Sequence, residues 1–426
     1  MKRIALLCGC LLAGLSAGAQ VTLDECRRLA REHYPEIRQY DLVRRTEEYT
    51  LSNARRAWLP QLSLAAQATW QTEVPSFPSA LAGMLVQQGI DMPGMNKDQY
   101  KAALELNQTL WDGGKSEADK RIARAEAAEQ ARSADVDLYA LQGRVDNLFF
   151  GILLLDERIA QTRLTLDLLR SNLEKVRALQ RNGVAMQSDA DAVEAELLTV
   201  NQQLTQVTAS RDSYRRMLEI FTGRPLGGER LERPDASEPR SMESSRPELA
   251  LFDATADKLT AQERLVKAAT RPRFGLFAQG YYGYPGMDYF QSMMSPDWSW
   301  NAMAGVKMSW NFGAYYTRKN SLAKLRTAKE QVEMQREIFL FNTRLQTAEE
   351  SGDIARLRKA LADDDRIVAL RRSVREAAES KLRNGVIDTD DLLRKITDEA
   401  AAATARSARE IELLKTIYEL KHTINR

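Results

Sequence analysis

Apolar residues return at alternating intervals of three and four from Leu138 to Val176. The series runs Leu138, Leu141, Val145, Leu148, Ile152, Leu155, Ile159, Thr162, Leu166, Leu169, Leu173 and Val176, and only Thr162 is polar. A heptad seam of this length selects a long α-helix that lies against other helices in a left-handed supercoil. Residues 113–181 read as one helix of about 69 residues, roughly 100 Å long. The pattern continues in 188–222 with Val193, Leu197, Val200, Leu204, Val207, Tyr214, Leu218 and Phe221, and Arg211 is the one departure. Residues 314–383 carry a looser seam of Ile354, Leu357, Leu361, Ile367, Leu370 and Val374, interrupted by Gly352 and Asp363-Asp364-Asp365. Residues 388–424 follow as its partner, and shorter helices are expected near 23–55 and 246–270.

The chain repeats itself. Tyr34-Pro35-Glu36 matches Arg246-Pro247-Glu248, and Leu59-Pro60-Gln61-Leu62 matches Arg271-Pro272-Arg273-Phe274 at the same spacing. Trp111-Asp112-Gly113-Gly114 matches Trp310-Asn311-Phe312-Gly313, and Arg181-Asn182-Gly183-Val184 matches Arg383-Asn384-Gly385-Val386. Matched landmarks in one order divide the chain into two structural repeats, 20–222 and 246–426. Residues 223–245, rich in Gly, Pro, Ser and charge, read as the linker.

Four segments change from the helical period to alternation, about 58–70, 100–111, 273–283 and 298–310. Leu62, Leu64, Ala66, Ala68 and Trp70 alternate with Ser63, Ala65, Gln67 and Thr69. Trp298, Trp300, Ala302, Ala304, Val306, Met308 and Trp310 alternate with Ser299, Asn301, Gly305, Lys307 and Ser309. Gln108 breaks the apolar face of the second segment. The segments have the length of tilted transmembrane strands. Trp58, Trp70, Trp111, Trp298, Trp300 and Trp310 gather at their ends, as aromatic residues do at membrane interfaces. The connections 71–98 and 284–297 read as long, hairpin-like loops. A small water-soluble sheet with one buried face produces the same alternation. In lipid, however, four strands cannot close a barrel and open edges are excluded, so a membrane reading requires several copies: two chains supply eight strands, three supply twelve.

Lys2 and Arg3, the apolar run Ile4 to Leu15 and Ala17-Gly18-Ala19 form a secretory signal peptide over 1–19. Leu7-Cys8-Gly9-Cys10 leaves lipidation at Cys10 open as an alternative. After cleavage only Cys26 remains, so no internal disulfide is expected. Lys2 and Arg3 also account for the whole formal charge of +2, and a neutral mature chain offers no general attraction to nucleic acid. With two His and three Cys in all, neither a His/Cys metal site nor a His-based catalytic triad is supplied. Met293-Met294 fall in an expected external loop and are weak grounds for a soft-metal role. No cofactor, no metal and no enzymatic activity are expected.

The signal peptide, the tandem halves, strand pairs ending in Trp111-Asp112-Gly113-Gly114 and Trp310-Asn311-Phe312-Gly313, and the paired Arg-Asn-Gly-Val turns resemble the TolC family of outer-membrane efflux channels. The resemblance implies a mainly α chain with transmembrane β. It implies a trimeric 12-stranded outer-membrane β-barrel, four strands per protomer, continuing into a 12-helix coiled-coil periplasmic tunnel. It implies a homotrimer in the outer membrane that serves as the passive exit duct of a tripartite efflux pump for small molecules. The partners so implied are a periplasmic adaptor protein, an inner-membrane pump and outer-membrane lipid. An exit duct for type I protein secretion is equally compatible, and a periplasmic coiled-coil scaffold without a barrel is the rival of another class.

Gly183 and Gly385 read first as helix stops. The resemblance makes their turns the periplasmic tips that dock the adaptor, flanked by Arg181, Asn182, Val184, Arg383, Asn384 and Val386. Asp189, Asp191, Asp388, Asp390 and Asp391 lie where acids offset the positive end of a helix dipole. The resemblance places the Asp391 position at the pore entrance, with Asp390, Asp388 and Asp189 as further candidates for an acidic ring. The chain departs from the family's best-known member, carrying Ile387 where that protein has a gating arginine and Arg394 where it has a second pore-facing acid.

Overall fold

A computed structural model describes residues 20–90, 94–183, 185–384 and 386–426. The signal peptide expected over 1–19, Val184 and Gly385 lie outside the described residues. The elements are α1 (Leu23–His33), α2 (Gln39–Arg56), β1 (Gln61–Trp70), α3 (Ser79–Gln87), β2 (Asp98–Trp111), α4 (Lys115–Arg181), α5 (Gln187–Thr222), α6 (Pro247–Ala268), β3 (Arg273–Tyr284), α7 (Tyr289–Met294), β4 (Ser299–Ser309), α8 (Gly313–Arg383) and α9 (Thr389–Ile424). The helix expected over 23–55 is interrupted. Tyr34 leaves the helical region before Pro35, and a 3-10 turn Pro35–Arg38 separates α1 from α2. The expected loops 71–98 and 284–297 instead carry the short helices α3 and α7. The strand limits place Trp58, Trp298 and Trp310 just outside the strands they flank.

The chain forms two compact units that cut across the sequence halves. One takes the described part of Met1–Tyr40 with Arg132–Leu251 and Gln335–Arg426; the other takes Asp41–Ala131 and Phe252–Met334. The first is helical. Phe149, Phe150 and Ile152 of α4 are fully buried with Leu218 of α5, Ile411 of α9, Leu23 and Cys26 of α1, and Leu226 of the connection after α5. The heptad seam of α4 supplies one wall of this core, with Leu138, Leu141 and Val145 all buried. Arg211, the departure from the α5 seam, stands 3.7 Å from Asp156 of α4, so an ion pair replaces an apolar contact. The connection 223–245 is packed onto the helices. Leu226 and Leu231 are buried, Val21 bridges Leu231, and the Arg215 guanidinium donates to the carbonyls of Gly227 and Glu229. Arg27 of α1 and Asp146 of α4 form a largely buried bidentate pair at 2.7 and 2.6 Å.

The second unit holds an antiparallel sheet in the order β1-β2-β3-β4, which leaves β1 and β4 as edges. Directly opposed residues share a face, so the register defines two surfaces. Leu64 opposes Leu104, Leu106 opposes Ala278, Tyr282 opposes Trp300 and Leu276 opposes Val306, which gives one apolar face. Ser63 opposes Glu105, Glu105 opposes Gln279, and Tyr281 opposes Asn301, which gives a polar face. On that face Gln279 Nε2 donates to Glu105 Oε1 at 2.6 Å, and Lys101 Nζ lies 4.3 Å from the Tyr281 ring centre.

Simple alternation would put Trp111 on the polar face. A bulge between Thr109 and Trp111 shifts the register, so Trp111 pairs with Phe274 and returns to the apolar side. Gln108, the break in that face, is satisfied by donating to the Trp58 carbonyl at 2.7 Å. The sheet ends where Gly113 and Gly114 take φ of +73° and +87°, a turn that favours glycine. Asp112 then caps α4, its carboxylate accepting from the N–H groups of Gly114 at 2.9 Å and Ser116 at 2.6 Å.

Candidate functional site

The helical unit ends in two tight turns, residues 182–186 between α4 and α5 and residues 384–388 between α8 and α9. Gly183 has φ +72° and its N–H donates to the Gln180 carbonyl at 2.9 Å, closing α4. At the second turn the Val386 N–H reaches back to the Lys381 carbonyl at 2.9 Å. These backbone bonds satisfy carbonyls that a helix end leaves open. Arg181, Asn182, Gly183, Arg383, Asn384 and Val386 are all exposed, and Val386 presents a bare isopropyl group to solvent.

The acids divide by role. Asp189 caps the start of α5, its Oδ2 accepting the Met186 N–H at 2.8 Å. Asp191 Oδ1 accepts from Gln187 Nε2 at 2.6 Å. Asp388 caps α9, its Oδ1 accepting the Asp391 N–H at 2.8 Å. Asp390 pairs with Arg394 one turn later at 2.6 Å. Arg394, the departure noted in the sequence, therefore neutralises a neighbouring acid of its own helix. Among the described residues the exposed Asp391 carboxylate takes no hydrogen bond or ion pair.

The two turns are brought together by packing beneath them. Leu173 and Val176 of α4 pack with Ala190 and Val193 of α5, and Leu393 of α9 lies against the same cluster. Just behind, Leu166 and Leu169 of α4, Val200 of α5, Ala378 of α8, and Leu392 and Ile396 of α9 form a four-helix core. Ala190 and Leu393 are near neighbours in sequence of Asp189 and Asp391, so the starts of α5 and α9 stand side by side. Ile387 packs against the four-helix core. An apolar anchor thus occupies the position where the resemblance implies a gating arginine.

Sequence reading missed an ion network that ties α4, α8 and α9 together behind the turns. Arg375 of α8 meets Glu399 of α9 and Glu379 of its own helix, each at 2.5 Å. Lys175 of α4 reaches Glu379 at 3.5 Å, and Arg371 reaches Asp398 at 2.8 Å. Only the Arg375–Glu379 spacing, one helical turn, was a local signal; the other partners are distant in the chain.

At the sheet, Tyr100 stacks on Trp298 at 5.9 Å, and Tyr282 meets Trp298 at 5.4 Å and Trp300 at 5.0 Å. Trp70 ends β1 at the same end of the sheet. The other end carries Trp111 against Phe274 and Trp310 against Phe312, with Trp58 nearby and half-buried. Ten residues separate Trp300 from Trp310, about 33 Å along a strand, or about 25 Å after a barrel tilt. That matches the height of an outer-membrane apolar band. In the single chain this face is bare: Leu64 is 77% exposed and Trp300 83%.

Residues 27–224 match the family model described as outer membrane efflux protein. No curated protein matches the chain by sequence. Among solved structures, the outer membrane protein VceC of Vibrio cholerae is similar at TM-score 0.69 and 15% identity, over 94% of this chain and 95% of that one. The outer-membrane channel OprN is similar at TM-score 0.68 and 15% identity, over 94% and 89%. The CmeC outer membrane channel of Campylobacter jejuni is similar at TM-score 0.66 and 12% identity, over 94% and 85%. At these identities the structural likeness speaks for the fold, and it extends across both halves. Together with the family model matched over residues 27–224, it gives the chain the fold of the outer membrane efflux channels in both halves.

Proposed function

We propose that three copies of this chain form a passive duct through the outer membrane, with the tunnel in the periplasm, as the exit of a tripartite efflux pump. The observation that carries this reading is the two-faced sheet with free edges. Its apolar face suits lipid, its polar face suits an aqueous lumen, and β1 and β4 need partners that only further copies supply. Three copies give a twelve-stranded barrel. A water-soluble scaffold would leave that apolar face in water with no cover. The chain supplies the channel, and an inner-membrane pump supplies the energy. No catalytic role, cofactor or nucleic-acid partner is proposed.

The turns at 182–186 and 384–388 are the docking points for a periplasmic adaptor, with Val386 and the exposed residues around Gly183 and Asn384 as its footing. Asp391 is the pore-facing acid at the periplasmic entrance. Threefold symmetry makes it a ring that favours cations, while Asp388 and Asp189 serve as caps and Asp390 is offset by Arg394. Ile387 implies that closure relies on apolar packing and on the Arg375 network.

Planar-bilayer recordings test the ring. Asp391→Asn is expected to lower the cation-to-anion permeability ratio several-fold, with a weaker effect for Asp390→Asn because Arg394 already opposes that charge. An unchanged reversal potential for Asp391→Asn would remove it from the pore.

A further inference from the structure

The connections at the aromatic-rich Trp70 and Trp300 end of the sheet are folded, and the β3–β4 connection lies over one side. Gly286 lies against Ser299 and Asn301, so that a Cβ there would sit 2.3 Å from Ser299 Oγ. Asn301 Oδ1 accepts the Met287 N–H at 2.6 Å, and the buried Tyr281 donates its hydroxyl to the Pro285 carbonyl at 3.3 Å. Ser299, Asn301 and Tyr281 all belong to the polar face of the sheet. The β3–β4 connection therefore crosses the face opposite the Trp300 girdle.

The β1–β2 connection is fastened on top of it. The Gly94 N–H donates to the Met293 carbonyl at 3.2 Å and the Asn96 N–H to the Tyr284 hydroxyl at 2.8 Å. Tyr284, itself buried, donates to the Ser292 carbonyl at 3.0 Å. Phe77 and Phe290 join the two connections with ring centres 6.1 Å apart. The resulting lobe has an unusual surface for a segment beyond a membrane band. Residues 74–90 contain no charged side chain. Leu81, Met84, Val86, Phe290 and Met294 are all exposed.

We infer that this lobe is an apolar constriction at the outer mouth of the duct, completed by the same segments of the neighbouring copies. The inference rests on the three-chain reading given above. If the polar face lines the lumen, a lobe folded across that face points toward the pore axis and away from lipid. A closed cyclic assembly then brings three equivalent lobes face to face. Their uncharged, apolar surfaces shield one another at the axis, and a constriction of this kind resists hydrated ions by dewetting. The cargo it passes with least resistance is apolar or amphipathic small molecules, which replace the lobe-to-lobe contacts as they leave.

The test uses the full mature chain, in which Cys26 is buried and inert to reagents. Phe290→Cys, a substitution at an exposed position, is treated with a three-armed maleimide after the mass in detergent has been measured. Covalent dimers and trimers of the Phe290→Cys protein are expected. The Met84→Asp/Phe290→Asp variant is expected to raise single-channel conductance several-fold. A trimer by mass that neither cross-links nor changes conductance overturns the constriction and leaves the duct intact. So does a fluorophore on Phe290→Cys that brominated lipid quenches, because the lobe then faces the bilayer. A monomer by mass overturns the duct reading itself, and the constriction with it.

Discussion

The duplicated helices α4 and α8 have similar lengths and opposite fates. α4 buries its seam: Val145 and Ile152 are fully covered and Leu169 is 1% exposed. α8 buries Ile354 against Ile417 and Leu420 of α9 and also covers Leu357, but Ile367, Leu370 and Val374 lie open, and so do Met334, Ile338, Phe341 and Leu345 further back. The strands reverse the contrast, since β1 of the first half covers almost none of its own surface within the chain whereas β3 of the second half is partly covered. Of the two long helices, α4 thus builds the core of the protomer and α8 presents apolar stripes outward. Stripes left uncovered in this way support the proposed assembly of several copies.

The comparison is most severely tested by two phenylalanines. Phe149→Ala in α4 is expected to destabilise the protomer by about 3–5 kcal/mol, read from urea unfolding in detergent. Phe341→Ala in α8, 58% exposed in the single chain, is expected to leave protomer folding unchanged and to reduce the fraction of SDS-resistant oligomer. Equal effects on unfolding would erase the distinction between the helices.

A second test asks how dry the α4 side is. His422 of α9 stacks on Tyr139 of α4 at 4.3 Å, and Gly143 leaves room for its ring. Burial pushes the imidazole down to about 4, with Arg246 and Arg27 adding to the effect and Glu248 opposing it. The unfolded chain takes up this proton near 6.5 and the folded chain only near 4. Stability is therefore at its full value above about 6.5 and falls as pH drops toward about 4, by roughly 3 kcal/mol for this one group. Thermal melts across that range are expected to show a shallower decline in His422→Phe, which keeps a ring on Tyr139 without the titration. Parallel declines would mean that water reaches the site.

The smallest effect belongs to the end of α4. Gly183→Ala meets no neighbouring atom but must hold φ near +72°, so it is expected to cost about 1 kcal/mol through backbone strain alone. A larger loss of stability would show that the turn is packed, which would sharpen its difference from an open docking point.

Much of this architecture was legible in the sequence because it is written in period. The α4 seam named many of its buried residues but not Phe149, Phe150 and Leu153, and strand alternation named both faces of the sheet. Period does not say what covers an apolar face, so α8 read as a looser version of α4 when it is an exposed one. Nor does period register a bulge, and the parity of Trp111 was hidden until β2 was paired with β3. The helices α3 and α7 escaped because they are too short to show a repeat. At the turns, the helix stops and the acids were visible as residue types. Their division into caps, a neutralised acid and a free one depended on hydrogen-bond geometry. The Arg375 network and the Arg27–Asp146 pair join residues far apart in the chain, and no local pattern encodes them.

The central claim is that this chain completes its sheet with its own copies. Electron cryo-microscopy of the purified protein in lipid nanodiscs tests it most directly. The expected map has threefold symmetry, β4 of each protomer paired with β1 of the next, and the Leu64 and Trp300 face turned to lipid. A map of single chains with β1 and β4 unpaired, or of particles that carry the polar face outward, would contradict it.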